Sequence, residues 1–370
     1  MKKSLLITID FPPQIGGVAN YLANLSKNFP PGNLLVLANN HEQSQHFDNK
    51  QPYKIIRAQL LSKYFWPRWL KTYLAAKPII KKSKIEQIVI SHILPMGYIA
   101  LMLKLPYIVI LHGYDIMNAQ KSSWKKYWAV KILTQAKHII VNSHNTENQV
   151  LNLGIKQNKI TIVYPCPNLQ LEQFNEHEMQ IIKNELDLHH KKILLSVGRL
   201  VPRKGFDKVI EALPELTKQI PNLIYIIVGN GPDRERLEKL AEDLKVRGNL
   251  IIAEDIPNSN LPAFYSLANI FIMPARQIGE DIEGFGIVYL EANLFGKPVI
   301  AGKSGGAEDA VIDNQTGILV NPESVQEINQ AILKLFNDPE LANKLGVQGR
   351  QRVLSEFNWY QQIDKLKNII

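Results

Sequence analysis

Short, largely apolar runs alternate with amphipathic stretches of helical length along this chain, and the alternation plays out twice, once in each half. In the first half the runs fall at 34–37, 88–90, 107–111 and 138–141, and in the second at 193–197, 223–228, 250–252, 270–273 and 298–301. A strand that is apolar at every position is buried on both faces, as in a parallel sheet covered by helices on either side. Helical periodicity at 18–27, 206–219, 233–244 and 325–336 supplies the crossovers that parallel strands require. Each half therefore reads as a doubly wound α/β domain. A length of 370 residues with 45% hydrophobic content is ample for two such cores, and no repeat of solenoid period competes. The opening M-K-K-S-L-L-I-T-I-D has a basic start, but its apolar run meets Asp10 too early for a signal peptide, so it reads as the first strand. No apolar run approaches the ~20 residues that span a bilayer. The single cysteine, Cys166, excludes an intramolecular disulfide framework, agrees with a reducing compartment, and reads as a small hydrophobe.

Chemistry concentrates in the second half. The stretch E-G-F-G-I-V-Y-L-E, from Glu283 to Glu291, joins a carboxylate-bearing glycine loop to a helix carrying a second carboxylate. Gly284 and Gly286 let the backbone approach a ligand closely, while Ile287, Leu290, Leu294 and Phe295 form an apolar stripe at helical spacing. Ionised carboxylates only accept hydrogen bonds, so two beside one cleft suit a ligand dense in hydroxyl donors. The competing account is a solvated helix start with Glu favoured by the dipole. Directly after the run 193–195 comes S-V-G-R-L-V-P-R-K-G, which sets Arg199 and Lys204 where a strand end becomes a loop and then a helix, the place where open α/β sheets bind ligands. Arg offers a planar fork and Lys a movable point charge to a diphosphate. Taken together, bases facing phosphate and acids facing hydroxyls describe a nucleotide-sugar. Alternatively Arg199, Arg203 and Lys204 are surface charges on a loop. Asp281 and Glu283 also form a D-x-E pair, a weak metal signal beside two cationic phosphate ligands.

On these motifs the chain resembles the retaining glycosyltransferases of family 4, over nearly its whole length. F-P-P-Q-I-G-G-V-A-N-Y-L near the N-terminus is similar to the family's glycine loop, and L-H-G-Y-D at 111–115 to its His-Gly segment. I-V-G-N-G-P-D at 227–233, E-G-F-G-I-V-Y-L-E-A, G-K-P-V-I-A and S-G-G-A-E at 304–308 follow in the family's order. The resemblance implies the GT-B fold, two Rossmann-like doubly wound domains facing each other across a cleft: an acceptor-binding domain at 1–168, to which a C-terminal helix at 354–370 crosses back, and a nucleotide-sugar-binding domain at 169–353. It implies that Gly16 and Gly17 bring backbone N–H groups toward the donor phosphate, that His112 lies near the reaction centre, and that Asp115 occupies a less constant acidic position. Arg199 and Lys204 match the diphosphate-binding pair. Glu283 matches the residue contacting the donor sugar, with Gly284, Phe285 and Gly286 in the same donor loop, and Glu291 the residue accepting from the ribose. Gly305, Gly306 and Glu308 match a further loop near the donor.

Each position has a simpler account on its own: a tight turn for Gly-Gly, a core histidine bonded to backbone for His112, helix capping for Glu308. One departure stands out. Where the family commonly has Asn-Gly-Val-Asp at the interdomain link, this chain reads Pro165-Cys166-Pro167-Asn168, a stiffer backbone.

Charge is asymmetric. Residues 1–170 hold 21 Lys/Arg against 6 Asp/Glu, so the overall +9 conceals a strongly basic first half. Between 50 and 84 there are ten basic residues and no acid, among them Lys63, Arg68 and Lys71, interleaved with Tyr53, Tyr64, Phe65, Trp66, Trp69 and Tyr73. K-S-S-W-K-K-Y-W-A-V-K at 121–131 repeats the theme. Tryptophan beside lysine and arginine suits an anionic membrane interface. Nucleic acid uses similar charges but is not the expected partner, and a core role for the aromatics with solvated lysines is the plainer alternative.

The expected function is transfer of a hexosyl group from a GDP- or UDP-sugar to a hydroxyl of a lipid-linked or polysaccharide acceptor, with retention of anomeric configuration. His112, Glu283, Arg199 and Lys204 are the expected catalytic residues. The resemblance implies neither metal nor cofactor, the nucleotide-sugar being a co-substrate, and a cytoplasmic protein peripheral on the inner face of the cell membrane. E-G-F-G-I-V-Y-L-E-A is similar to the corresponding segment of bacterial mannosyltransferases acting on phosphatidylinositol, which favours a GDP-sugar, although UDP-sugar users read much the same. A nucleotide-sugar epimerase of the same architecture and a non-catalytic GT-B subunit are the alternatives.

Overall fold

The computed structural model describes residues 2–14, 16–62, 64, 66–169, 171, 174–367 and 369. Ile15 of the N-terminal glycine loop, Lys63 and Phe65 of the basic segment, and Asn368 and Ile370 at the C-terminus lie outside the described residues. The chain divides into two compact units, one of Met1–Cys166 with Trp359–Ile370 and the other of Pro167–Asn358.

The first unit runs β1 (Ser4–Thr8), α1 (Gly17–Lys27), β2 (Leu34–Asn39), α2 (Ser44–Asp48), β3 (Lys54–Ala58), α3 (Leu70–Ser83), β4 (Gln87–Ser91), α4 (Met96–Leu103), β5 (Tyr107–Leu111), α5 (Tyr114–Ala119), α6 (Ser123–Gln135), β6 (His138–Val141), α7 (His144–Leu151) and β7 (Ile160–Ile162). Its strands form one parallel sheet in the order β3-β2-β1-β4-β5-β6-β7. Successive side chains of β1 enter opposite cores: Leu5 and Ile7 join Leu37, Ile90 and Val109 on one face, and Leu6 joins Val36, Val89 and Ile108 on the other. Burial on both faces is why the central strands carry no polar alternation.

The second unit runs α8 (Glu176–Glu185), β8 (Lys192–Val197), α9 (Phe206–Gln219), β9 (Leu223–Val228), α10 (Arg234–Asp243), β10 (Leu250–Ala253), α11 (Leu261–Leu267), β11 (Ile270–Met273), α12 (Ile287–Leu294), β12 (Val299–Gly302), α13 (Ala307–Ala310), β13 (Ile318–Val320), α14 (Val325–Asn337) and α15 (Pro339–Glu356). Its parallel sheet has the order β10-β9-β8-β11-β12-β13. The chain then returns to the first unit as α16 (Trp359–Asp364). The segment 354–370 is thus not a single helix. α15 ends at Glu356, and Phe357 leaves helical geometry to bury itself against Phe285. In the first unit, Tyr164 N–H donates to the Gln362 amide oxygen at 2.9 Å, and Trp359 packs on Tyr21.

Both sheets are doubly wound, as expected, and each has a point where the strand order reverses: between β1 and β4 in the first unit, and between β8 and β11 in the second. Loops at the carboxyl ends of the strands flanking such a point diverge and leave a crevice, the usual ligand position in open α/β sheets. Among the described residues no helix is long and apolar enough to cross a membrane.

Candidate active site

In the second unit the loops after β8 and β11 meet across the reversal point. Arg276 N–H donates to the Arg203 carbonyl at 2.8 Å, tying one loop to the other. Lys204 Nζ donates to Glu283 Oε2 at 2.7 Å, Arg203 also donates to Glu283, and Arg203 Nε lies 3.0 Å from Asp281 Oδ1. Lys204 and Glu283 are both buried. Burial by itself would raise the Glu283 carboxyl, but the Lys204 and Arg203 cations outweigh it and hold the pKa down at about 2. The expected separation of acids toward hydroxyls and bases toward phosphate is not what the structure shows, since Glu283 is directly clamped by two cations. The reason is topological: the two loops flank one crevice, and a carboxylate buried there requires a partner. Arg199, by contrast, is exposed and has no ion pair among the described residues.

Glu291 sits one turn inside α12, which starts after Gly286 in left-handed geometry. Its carboxylate is buried and accepts from Tyr265 Oη at 2.8 Å. Burial dominates, and with one hydroxyl as its compensation the carboxyl is pushed up to about 7. Phe285 is buried against Phe357, so its side chain serves packing. Gly306 has a packing reason: its N–H donates to the Glu283 carbonyl at 2.9 Å, and a Cβ there would lie 2.1 Å from the Gly284 carbonyl. The S-G-G loop therefore buttresses the glycine loop backbone to backbone. Glu308 is exposed on the short α13.

Gly205, next to Lys204, has φ +74, and a Cβ would lie 2.1 Å from the Pro274 carbonyl. Gly205→Ala combines a left-handed penalty with a backbone clash, and we expect it to destabilise the second unit by about 2 kcal/mol or more, measured by urea denaturation. A change within a few tenths of a kcal/mol would show that the loop relaxes freely.

In the first unit the N-terminal glycine loop and the His-Gly segment follow β1 and β5. Gly16 caps α1, and among the described residues no atom outside the neighbouring stretch of chain lies within 4 Å of the place a Cβ on Gly16 or Gly17 would occupy. Open space there accords with a ligand approach rather than an internal packing need. His112 is half-buried, its Nε2 lies 3.0 Å from Ser91 Oγ, and its ring stands edge-on to Tyr21. Its backbone N–H donates to Asp115 Oδ1 at 3.1 Å. Desolvation, then the neighbouring His92 charge, lowers the His112 pKa to about 3, so the ring is neutral across the physiological range.

Arg203, Tyr265, Ser91, His92 and Asp10 escaped recognition as site residues. The available signal was positional for four of them: Asp10 and Arg203 lie in loops after strands next to the reversal points, Ser91 ends β4, and His92 follows it. Tyr265 lies in α11, 26 residues from its partner, with nothing local to mark it.

The chain matches two family models in succession, "Glycosyltransferase Family 4" over residues 15–171 and "Glycosyl transferases group 1" over 178–352. It is similar to the GDP-mannose-dependent alpha-(1-6)-phosphatidylinositol monomannoside mannosyltransferase of Mycolicibacterium smegmatis, with 28% identity covering 99% of this chain and 97% of that one. It is also similar to the GDP-mannose-dependent monoacylated alpha-(1-6)-phosphatidylinositol monomannoside mannosyltransferase of Corynebacterium glutamicum, 29% identical over 100% of this chain and 98% of that one. Among solved structures, Anabaena HepE in complex with UDP shares the fold with a TM-score of 0.83, at 18% identity over 99% of this chain and 98% of that one. Two parallel Rossmann-like sheets, matched end to end by glycosyltransferase families, make this chain a member of glycosyltransferase family 4 with the GT-B fold.

Proposed function

We propose that this glycosyltransferase moves a hexosyl group from a GDP-sugar to a hydroxyl of a lipid-linked acceptor, with retention of configuration. The observation that carries the reading is the cluster at the β8/β11 reversal, where Arg203 and Lys204 clamp Glu283, with Arg199 exposed in the loop that follows β8. Here Arg199 and Lys204 bind the diphosphate and stabilise the charge that grows on it as the glycosidic bond breaks. Lys204 exchanges part of its contact with Glu283 for phosphate, which frees Glu283 to accept from sugar hydroxyls. Glu291 accepts from the ribose, Gly16 and Gly17 offer backbone N–H groups to phosphate, and His112 contacts the ligand at the reacting centre. The mannosyltransferase relatives favour GDP-mannose as the first donor to test.

Incubation with radiolabelled GDP-mannose and a bacterial lipid extract should release GDP in step with labelled lipid, the product keeping the donor's anomeric configuration by NMR. Donor altered without acceptor would instead reveal an epimerase, and an inverted product would refute retention.

An anionic membrane surface as partner is supported by the way the two basic aromatic segments join. Trp69 stacks on Tyr98 at 5.8 Å, and Tyr98 in turn contacts Trp124 and Trp128 of α6. In the same two segments Trp66 is 86% exposed, and Leu74, Trp124 and Tyr127 are each more than half exposed. Lys131 Nζ sits 4.8 Å over the Trp128 ring. Apolar tips beside cations are the combination that enters a headgroup layer. Replacing Arg68, Lys71 and Lys125 together by Glu should abolish sedimentation with phosphatidylglycerol vesicles while Tm stays within a few degrees. Undiminished binding would contradict membrane docking through this face.

A further inference from the structure

Four polar side chains in the first unit form a continuous line across the β1/β4 reversal and on to β5. Asp10 Oδ2 lies 3.1 Å from His92 Nε2, His92 Nδ1 lies 3.1 Å from Ser91 Oγ, and Ser91 Oγ lies 3.0 Å from His112 Nε2. Its anchors are firm. Asp10 is also held by Gln14 at 3.3 Å, and His92 occupies left-handed backbone geometry at φ 77 while its N–H donates to the Ile110 carbonyl. A histidine held in that region marks a position where geometry matters more than local ease. His112 Nδ1, at the far end, has no hydrogen-bond partner among the described residues.

We propose that His92, clamped by Asp10, is a positioning residue that dictates through Ser91 which ring nitrogen of His112 carries its proton, and so whether Nδ1 meets the ligand as a donor or as an acceptor. The inference rests on the proposed role of His112 at the reacting centre. The logic is a count of hydrogens. A serine hydroxyl has one proton to give. When His92 is cationic, Nδ1–H donates to Ser91 Oγ, so the Ser91 O–H must point to His112 Nε2. That nitrogen is then an acceptor and the His112 proton resides on Nδ1. When His92 loses its Nδ1 proton to solvent, its bare Nδ1 accepts from Ser91, Ser91 Oγ accepts from His112 Nε2–H, and His112 Nδ1 becomes an acceptor. His112 holds one proton in both states; only its position changes.

The charged groups around His92 favour the first state. Burial opposes its charge, but the Asp10 bond, Asp115 of α5, and the Ser91 backbone carbonyl together leave its pKa raised, while neighbouring His112 stays neutral. Asp10 is correspondingly lowered, chiefly by the His92 bond. Tyr21, the remaining titratable group against His112, is pushed up by burial and stays protonated.

The test is a pH titration of the full chain labelled with ¹⁵N-histidine, read by long-range ¹H–¹⁵N correlation, with His92→Gln and His112→Gln spectra for assignment. His112 should carry its proton on Nδ1 while His92 is cationic, and switch to Nε2 with the midpoint of the His92 titration. Asp10→Asn should move that midpoint down by about one pH unit, and Ser91→Ala should uncouple the two rings. In turnover, Asp10→Asn should lower kcat about tenfold at pH 7, with KM little changed and Asp10→Glu partly restoring it. A His112 proton on Nε2 while His92 is charged, or a His112 tautomer indifferent to the His92 titration, would overturn the relay. Once the two rings are assigned, the wild-type titration decides this, whatever Asp10→Asn or Ser91→Ala does to folding. An intact relay in a chain without transferase turnover would refute the proposed function and leave the relay standing.

Discussion

Glu283→Ala should both stop turnover and weaken the second unit. Removing the carboxylate leaves Lys204 buried with a cation for its neighbour, and stripping one partner from a buried pair typically destabilises by about 3–5 kcal/mol. Arg203 keeps Asp281, 3.0 Å away, so it does not add the same penalty. The contribution of Glu283 has a definite sign with pH: its carboxyl, lowered to about 2, lends stability above the ordinary carboxylate range and loses it as the pH falls toward 2. Turnover should fall by about 10²–10³, the order seen when one preorganised polar contact is lost from a reacting centre, while nucleotide binding persists through Arg199 and Lys204. Stability and activity can be separated by adding Lys204→Met. The double variant no longer buries an unpaired ammonium and should be more stable than Glu283→Ala, yet no more active. Near wild-type turnover in Glu283→Ala would remove Glu283 from the mechanism. An equal or larger stability loss in the double variant would show that the pair is not what the single change breaks.

Glu291→Gln should have the opposite effect on stability. The Glu291 carboxyl is raised to about 7 by burial, so the folded chain holds a proton there that the unfolded chain releases nearer the ordinary value. Folded protein therefore binds more protons between about pH 4.5 and 7, and stability declines through that window and stays lower above it. A shift of that size corresponds to about 3 kcal/mol once Glu291 is fully ionised. The amide cannot ionise and still accepts from Tyr265, so the variant should match wild type near pH 5 and exceed it at pH 8, in denaturant unfolding of the second unit. The gain comes with a loss. In its proposed role Glu291 accepts from the ribose, and an amide oxygen is a weaker acceptor than a carboxylate, so nucleotide affinity should drop about tenfold, the order of one hydrogen bond to a charged group. A Glu291→Gln protein no more stable than wild type at pH 8 would contradict the buried, high-pKa carboxylate.

The central strands were legible in the sequence because double burial leaves them almost entirely apolar: 107–111, 138–141, 223–228 and 270–273 agree with β5, β6, β9 and β11 to the residue. The strands missed were β3, β7 and β13, each at a sheet edge. β3 carries charge in Lys54 and Arg57, β7 is interrupted by Thr161, and β13, though apolar, is only three residues long. At the site, residue types and their place after strands were legible for Lys204, Glu283, Glu291 and His112. Their partners were not. Lys204 and Glu283 are 79 positions apart and meet because β8 and β11 are neighbours, a relation that belongs to topology rather than to any local pattern. Asp10 meets His92 for the same reason, through β1 and β4. Phe285 illustrates the converse: its place in a glycine loop suggests a ligand contact, yet its side chain is needed against Phe357.

The proposed function requires the second unit to hold a nucleoside diphosphate on the cations of the β8/β11 crevice. Thermal unfolding in the presence of GDP, UDP, ADP and their common sugar conjugates, for wild type and Arg199→Ala, tests it most directly, since a ligand bound only by the folded state raises Tm by mass action. Tm should rise selectively for one base, GDP first, and that rise should be largely lost in Arg199→Ala. No rise with any nucleotide, or a rise that Arg199→Ala leaves intact, would contradict it.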